Sequence, residues 1–538
     1  MKTVHTASAL VAASSLVLWT TSVWACGGVF CAVPQGPTPP EPVDQNAERI
    51  IFEVDTDAGE IATHVQIEYA GDPDNFAWVV PVPGVPEVED SNIALFEWLD
   101  SATRLTVIPP RALPCAAVDD GWSSPGCGCN DADIAPATAD SGGSPVDASG
   151  PVTVYSSGQT NNYAFDVLGA ERTSDLVAWL QDNGYNVSNN MTPVMDPYNS
   201  ASMRFLAIKL LEGKGNNSIA PLKFTYAATE PMIPIQLTAV AAQPHMGILV
   251  FIVADEVFEP TNYGVVPPNS GEILVDGDYR TNYFDWVART VDEAGGQLFV
   301  SEFIGRAPSR VGNPALQPGP IVARYYTRMS AHQMTVDPRF RRADSPSILL
   351  SNTLDLSNNT PLYACGQLIT ENLPSACAFN YCGLGATCVE QAETGRVACL
   401  CPENQVAQTV AGPDGDRVVC MPPTNPVGVT DEAAGVGGMF DPCGGFDCGE
   451  GQCVVKGGFP TCACDEGAGA VSQDSTVRCE MIASDSPQFG PGAGLESAPR
   501  VTRAFPLNQG WRRMVASLLP LLVFAGLLRS LGLVSRRA

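Results

Sequence analysis

Short apolar runs alternate with turn-forming clusters along most of residues 50–303. Ile50-Ile51-Phe52-Glu53-Val54 is strand-like, and Asp55 to Glu60 is a polar turn. Ile61, Thr63, Val65, Ile67 and Tyr69 then share one face of the next run, so a hairpin is predicted. Phe76 to Gly84 reads as a buried strand whose two prolines place its end at an edge or exit. A short helix is predicted over Ser91 to Leu99, capped by Ser91, with Ile93, Phe96 and Leu99 on its apolar face. Ser174 to Asn183 is a clearer helix. Ser174 is its expected cap, Leu176, Val177, Trp179 and Leu180 form its stripe, and Gly184 ends it. Further strands are predicted at Thr153 to Tyr163, Met203 to Leu211, Leu222 to Tyr226, Ile233 to Val240, Ile248 to Val253 and Gln297 to Phe303. A second amphipathic helix is predicted over Tyr283 to Val291, and Ser330 to Gln333 has capping-box spacing. The expected class is α+β: a mainly antiparallel β lobe with a few packed helices.

The ends of the chain change this picture. Lys2 followed by the mainly apolar Ala7 to Trp19, with Val23-Trp24-Ala25 at a cleavage position, predicts a signal peptide over residues 1–25. Cleavage leaves Cys26 first, so a lipidated cysteine is the alternative to a disulfide there. At the other end, residues 514–534 carry one charge, Arg529, and as a helix would span about 31 Å, matching a hydrocarbon core of roughly 30 Å. Arginines flank this run, and the final ones are expected to stay cytoplasmic. A single C-terminal transmembrane helix is therefore expected, after a linker over 480–513 and before a basic tail over 535–538. The tail resembles the sorting tags of some bacterial surface proteins, from which the helix and arginines are later removed. The membrane is thus an expected partner, with the ectodomain in the periplasm or at the cell surface.

Charge follows the same division. All 58 acidic residues lie between Cys26 and Pro499, against 21 basic ones, a net charge of −37. A surface this acidic repels phosphate backbones, which excludes nucleic acid as a partner.

Eighteen cysteines, an even number, fit an oxidising compartment. Twelve fall in two similar registers. Cys377, Cys382, Cys388, Cys399, Cys401 and Cys420 read C-x4-C-x5-C-x10-C-x-C-x18-C. Cys443, Cys448, Cys453, Cys462, Cys464 and Cys479 read C-x4-C-x4-C-x8-C-x-C-x14-C. Spacing alone leaves about 15 pairings open in each. Neither segment holds a histidine or a C-x-x-C pair, which argues against zinc. Segments this short cannot bury enough apolar surface to hold themselves and need crosslinks. The C-x-C step before a long final loop resembles tandem EGF-like modules, here over 377–420 and 443–479. That resemblance implies Cys377 with Cys388, Cys382 with Cys399 and Cys401 with Cys420, then Cys443 with Cys453, Cys448 with Cys462 and Cys464 with Cys479. The acidic cluster of the calcium-binding subtype is missing before Cys377. The modules are expected to act as rigid spacers or contact surfaces. Cys26, Cys31, Cys115, Cys127, Cys129 and Cys365 remain without an assigned partner.

Residues 26–365 form the lobe, with a Gly-, Ser- and Asp-rich insertion over 120–151 expected to be a flexible loop. Its opening Cys26-Gly27-Gly28-Val29-Phe30-Cys31 resembles the amino-terminal signature of the bacterial domain of unknown function 2330. The likeness is renewed at Asp74 to Gly84, at Trp179 with Asn183-Gly184-Tyr185, at Phe205 to Leu210 and at Pro231 to Ala242, spanning roughly residues 26–350. It implies an exported bacterial protein, often tail-anchored, and brings no catalytic residues.

Candidate chemistry is sparse. Past the signal only His64, His245 and His332 occur, and no HExxH, Walker loop or G-x-S-x-G elbow is present. His64 is expected on the more exposed face of its strand, His245 in a hairpin turn and His332 in the short helix. Asp55, Asp57 and Glu60 read as an ordinary turn rather than a calcium loop. Glu97, Asp100, Asp166, Asp255 and Glu256 lie near apolar segments, but no roles follow. No catalytic, cofactor-binding or metal-binding residue is assigned. The function expected is an exported, membrane-tethered envelope protein with a binding, adhesion or assembly role toward an extracellular protein or glycan. An envelope hydrolase with a carboxylate site is the alternative.

Overall fold

The computed structural model describes residues 29–31, 44–70, 76–115, 151–185, 187, 191–211, 220–240, 242–307, 319–344, 349–391, 396–410, 416–422, 447–456, 459–473, 476–483 and 486–489. All belong to the first of two compact units, 1–495 and 496–538. The expected signal peptide, the 120–151 loop up to residue 150, Cys26, Cys127, Cys129, Cys443 and the 514–534 span lie outside the described residues. Among those described, no helix is long and apolar enough to cross a membrane.

The lobe is mostly β, with a few helices. One sheet runs in the order β1 (Val29–Cys31), β4 (Phe76–Val82), β9 (Arg204–Leu210), β8 (Tyr163–Ala170), β7 (Val152–Gln159), with every neighbour antiparallel. The other runs β13 (Gly264–Val266), β14 (Leu298–Arg306), β15 (Ile321–Met329), β11 (Ala242–Ala254), β2 (Asp44–Asp55), β3 (Glu60–Ala70), β10 (Leu222–Ala227), β5 (Glu87–Asp90). It is antiparallel except where β11 meets β2 and β13 meets β14. Short pairs complete the lobe: β6 (Thr106–Ile108) with β17 (Thr353–Asp355), β12 (Phe258–Pro260) with β16 (Phe340–Arg342), and β18 (Tyr363–Ala364) with β19 (Gln367–Leu368).

Strand alternation explains the layering. On β2, Ile50, Phe52 and Val54 enter the core between the two sheets. Ile51, pointing the other way, packs with Phe96 and Leu99 of helix α1 (Ile93–Thr103). On β4, Val80 and Val82 face the inter-sheet core. Ala77 and Val79 face helices α2 (Thr173–Asp182) and α3 (Thr192–Ser200) through Leu176, Val177 and Met195. Each sheet is therefore buried on one face by the other sheet and on the other by helix. Truncating a fully buried ring such as Phe205 to alanine costs roughly 3–5 kcal/mol in such a core.

The hairpin expected at residues 50–69 forms, with Asp55 opposite Glu60. Asp55 Oδ1 accepts from the backbone N–H of Asp57 and Ala58 at 3.0 and 2.8 Å, so this carboxylate serves the turn itself. Pro81 stands opposite Phe205 of β9, next to the end of β4. The capping box at Ser330 forms around the short helix Ala331–Gln333.

Several expectations are corrected. The helix expected from Ser91 is capped by Asn92, whose side chain accepts from Ala94 N, while Ser91 turns its hydroxyl to His64. Arg172, not Ser174, stands at the N-cap of α2, without a side-chain cap bond. Thr153 to Tyr163 is not one strand. Thr160 Oγ1 accepts from the N–H groups of Asn162 and Tyr163 and reverses the chain between β7 and β8. Ile233 to Val240 is not a strand but the short helix α4 (Ile235–Thr238), because Pro234 supplies no ladder donor and suits a helix start. Helix α5 (Tyr283–Glu293) forms as expected and packs on β14 and β15.

The disulfide-rich region contains β20 (Thr387–Glu390), β21 (Val397–Leu400), β22 (Val406–Val410), β23 (Arg417–Met421), β24 (Gly451–Lys456), β25 (Phe459–Cys464), β26 (Ala468–Gln473), β27 (Thr476–Met481) and β28 (Gln488–Phe489). Bonded pairs are Cys377–Cys388, Cys382–Cys399, Cys401–Cys420, Cys448–Cys462 and Cys464–Cys479, with Cα separations of 5.3 to 5.8 Å. Cys453 is also disulfide-bonded. The two registers are not separate beads. Strands from both build one sheet, β27-β26-β21-β20-β28, and their buried cysteines share one cluster with Ala407, Ala468 and Ala470. Thr461 donates to the Ala407 carbonyl at 2.8 Å across the pair.

Candidate functional site

A cleft lies between the two sheets of the lobe. Ile50 and Phe52 of β2, Val65 of β3 and Phe224 of β10 form one wall. Trp78, Val80 and the Pro81-Val82-Pro83 exit of β4 form the other. Met232, Ile233 and Thr238 border it from the Pro231 to α4 segment. The prolines contribute ring carbon and no N–H, so this wall is apolar and leaves few donors to satisfy.

Polar groups share the lining with the apolar ones. Thr63 and Tyr226, both in its lining, join hydroxyls at 3.0 Å. Burial pushes the Tyr226 phenol up to about 12 against the opposing bond from Thr63, so it is neutral at physiological pH. Glu48 is buried at 5% exposure and Glu230 is exposed, and both line the same space. A cleft lined by aliphatic and aromatic side chains together with two carboxylates suits a molecule with a hydrocarbon body and a donor or cationic head.

A second polar cluster joins the lobe to the first disulfide unit. Asp292 of α5 accepts from Tyr381 Oη and Gln333 Nε2, each at 2.9 Å, and lies 3.3 Å from His245 Nε2. Burial alone would raise the Asp292 pKa. The His245 charge and the three hydrogen bonds outweigh it and hold the carboxyl below its usual range. Tyr381 stacks on His245 at 5.6 Å between ring centres. Two turns earlier on the same face of α5, Asp285 accepts the Tyr381 N–H at 3.0 Å and pairs with Arg417 at 2.5 Å. Helix α5 thus clamps the loop between Cys377 and Cys382, together with β23.

This cluster is built for holding. Ser330 is fully buried beside His245, but its Oγ accepts from the His245 backbone N–H at 3.0 Å and serves the capping box. It is not aligned on the imidazole as a nucleophile would be.

The candidate residues from sequence do not converge. His64, expected on an exposed face, is buried at 6% because α1 covers that side of the sheet. Its Nδ1 lies 2.6 Å from Ser91 Oγ and its Nε2 3.4 Å from Glu53. His245, expected in a hairpin turn, lies within β11 at a bulge. Four residues of β11 there stand against one of β2, and His245 takes a left-handed φ of 52°. His332 is exposed in the short helix. Asp100 pairs with the buried Arg324 at 2.7 Å, and Arg324 also bonds Glu302, which accepts from Tyr283. Burial would raise the Asp100 pKa, but Arg104 and Arg324 bring it below normal. Asp166 bonds Ser157 and Glu256 pairs with Arg342, while Glu97 and Asp255 are exposed. Among the described residues, no three of His, Cys, Asp and Glu gather as a metal site would require. Gln333 was marked only by its capping-box spacing, and Asp292 and Tyr381 carried no signal in sequence, since the cluster is assembled from segments up to 136 positions apart.

The family model described as "Uncharacterized protein conserved in bacteria (DUF2330)" matches residues 22–337, and the chain belongs to that family. No curated protein and no solved structure matches it.

Proposed function

Taking membership in this bacterial family as the premise, we propose that the chain is an exported, membrane-tethered envelope protein whose lobe captures an amphipathic molecule in the inter-sheet cleft. The occupant has a hydrocarbon body and a donor or cationic head. The observation that carries this reading is the cleft itself, walled by Ile50, Phe52, Val65, Trp78 and Phe224 and bordered by Glu48 and Glu230. A net charge of −37 over residues 26–499 favours the same head group by attracting cations and repelling anions.

Export is supported by the signal-like start at residues 1–25 and by the disulfides. The tether is the apolar span 514–534, with the final arginines cytoplasmic unless the tail is processed. The disulfide region is read as two EGF-like units. Support comes from first-to-third, second-to-fourth and fifth-to-sixth bonds in the first unit, and from second-to-fourth and fifth-to-sixth bonds in the second. Docked on α5, the pair acts as a brace that presents its outer surface to an extracellular protein or glycan. The hydrolase alternative gains no support from the placement of the carboxylates.

Titration with long-chain alkylamines and with fatty acids of equal length, followed by Trp78 fluorescence against a Trp78→Phe control, tests the reading. Saturable binding with a clear preference for the amine is expected. Absence of saturation with either head group contradicts it.

A further inference from the structure

Cys115 and Cys365 are free cysteines, both exposed, and stand 250 positions apart in sequence. The backbone brings them together. Segment 106–113 zips along 352–363, through the parallel pairing of β6 with β17 and the bond from Leu113 N–H to the Tyr363 carbonyl at 2.7 Å. Leu113 bridges Ala364, and the Cys365 N–H donates to the Leu113 carbonyl at 3.1 Å. The two thiols end up within hydrogen-bonding reach of each other.

The conformation of Cys365 is a second, independent observation. β18 and β19 are joined by the two-residue turn Cys365-Gly366, with φ of 52° and 72°. Such turns favour Asn, Asp or Gly at the first position because the left-handed region crowds other side chains. A cysteine in that conformation points to a use for its sulfur rather than to turn chemistry.

We propose that Cys115 and Cys365 form a disulfide that staples segment 106–115 to the hairpin leading into the disulfide-rich region. The bond forms by exchange with a small-molecule or protein disulfide. One cysteine thiolate attacks the oxidant's S–S bond and releases one thiol, leaving a mixed disulfide. The second cysteine thiolate attacks the protein sulfur of that adduct and releases the other thiol. The two cysteines lose two protons and two electrons, and the oxidant gains both pairs. The staple closes a loop of about 250 residues.

The test uses the full chain, purified without reductant and then incubated with glutathione disulfide, so that it does not depend on the export reading. After thiol blocking and digestion without reduction, peptides containing Cys115 and Cys365 are expected as one linked species. Blocked thiols at both positions, or linkage of either cysteine elsewhere, overturn the proposal. Melting of the oxidised C115S, C365S and C115S/C365S chains supplies the second readout. Equal downward shifts in all three are expected, since each breaks the same bond. Additive shifts, or none, overturn the staple.

Discussion

Tyr381 donates its phenol to Asp292 at 2.9 Å across 89 positions of sequence, and so fastens the first disulfide unit to helix α5 of the lobe. The same tyrosine gives its backbone N–H to Asp285 and its ring face to His245. A unit held at two points on helix α5 and one on strand β11 is a docked part of the body, not a swinging spacer.

Tyr381→Phe keeps the ring stack and removes one hydrogen bond to a buried carboxylate. A loss of about 1.5–3 kcal/mol in unfolding free energy is expected. Urea unfolding measures it, and proteolysis between residues 365 and 377 should quicken in parallel. An unchanged midpoint and unchanged cleavage would show that the contact holds nothing.

Acid should loosen the same joint. Asp292 is held below its ordinary pKa in the folded chain, so its contribution is complete above the unfolded value near 3.8 and is lost as pH falls through the folded one. Asp337 behaves oppositely. Burial raises its pKa despite bonds from Gln236 and Tyr198, so its contribution is complete at low pH and lost as pH rises. Stability measured from pH 3 to 7 should therefore flatten at the acid end in Asp292→Asn. In Asp337→Asn it should improve more at pH 7 than at pH 3. Identical changes in the two variants would refute the assignment.

Arg324 is 6% exposed and joins Asp100 of α1 to Glu302 of β14. Arg324→Ala strands Glu302 and Tyr283 in the interior and is expected to cost about 3–5 kcal/mol. Arg324→Ala combined with Glu302→Gln should recover part of that loss. Calorimetry that finds the double variant no better than the single would contradict the pairing.

Much of the lobe was legible in sequence because its strands are half-buried and alternate. Ile61, Thr63, Val65 and Ile67 show both the strand and its inward face. Ile233 to Val240 misled because an apolar run bounded by prolines fits a buried strand as well as a helix, and only Pro234 decides between them. His64 misled for a different reason. Which strand face is covered depends on where α1 packs, and that is a tertiary fact absent from local pattern. The cleft was half visible, since Trp78 to Pro83 stood out as a buried strand, but its opposite wall comes from β2, β3 and β10. Tyr381 lay between two cysteines with nothing to mark it as the residue that meets Asp292.

The most direct measurement is native mass spectrometry of the ectodomain purified from the exported fraction, beside a Thr238→Trp variant that adds bulk to the cleft lining. The account predicts a bound amphipathic species in the native chain, released by organic solvent, and its loss from a variant that melts at the same temperature. An empty native chain that also fails to take up an added alkylamine, or a variant that retains the bound species, would contradict it.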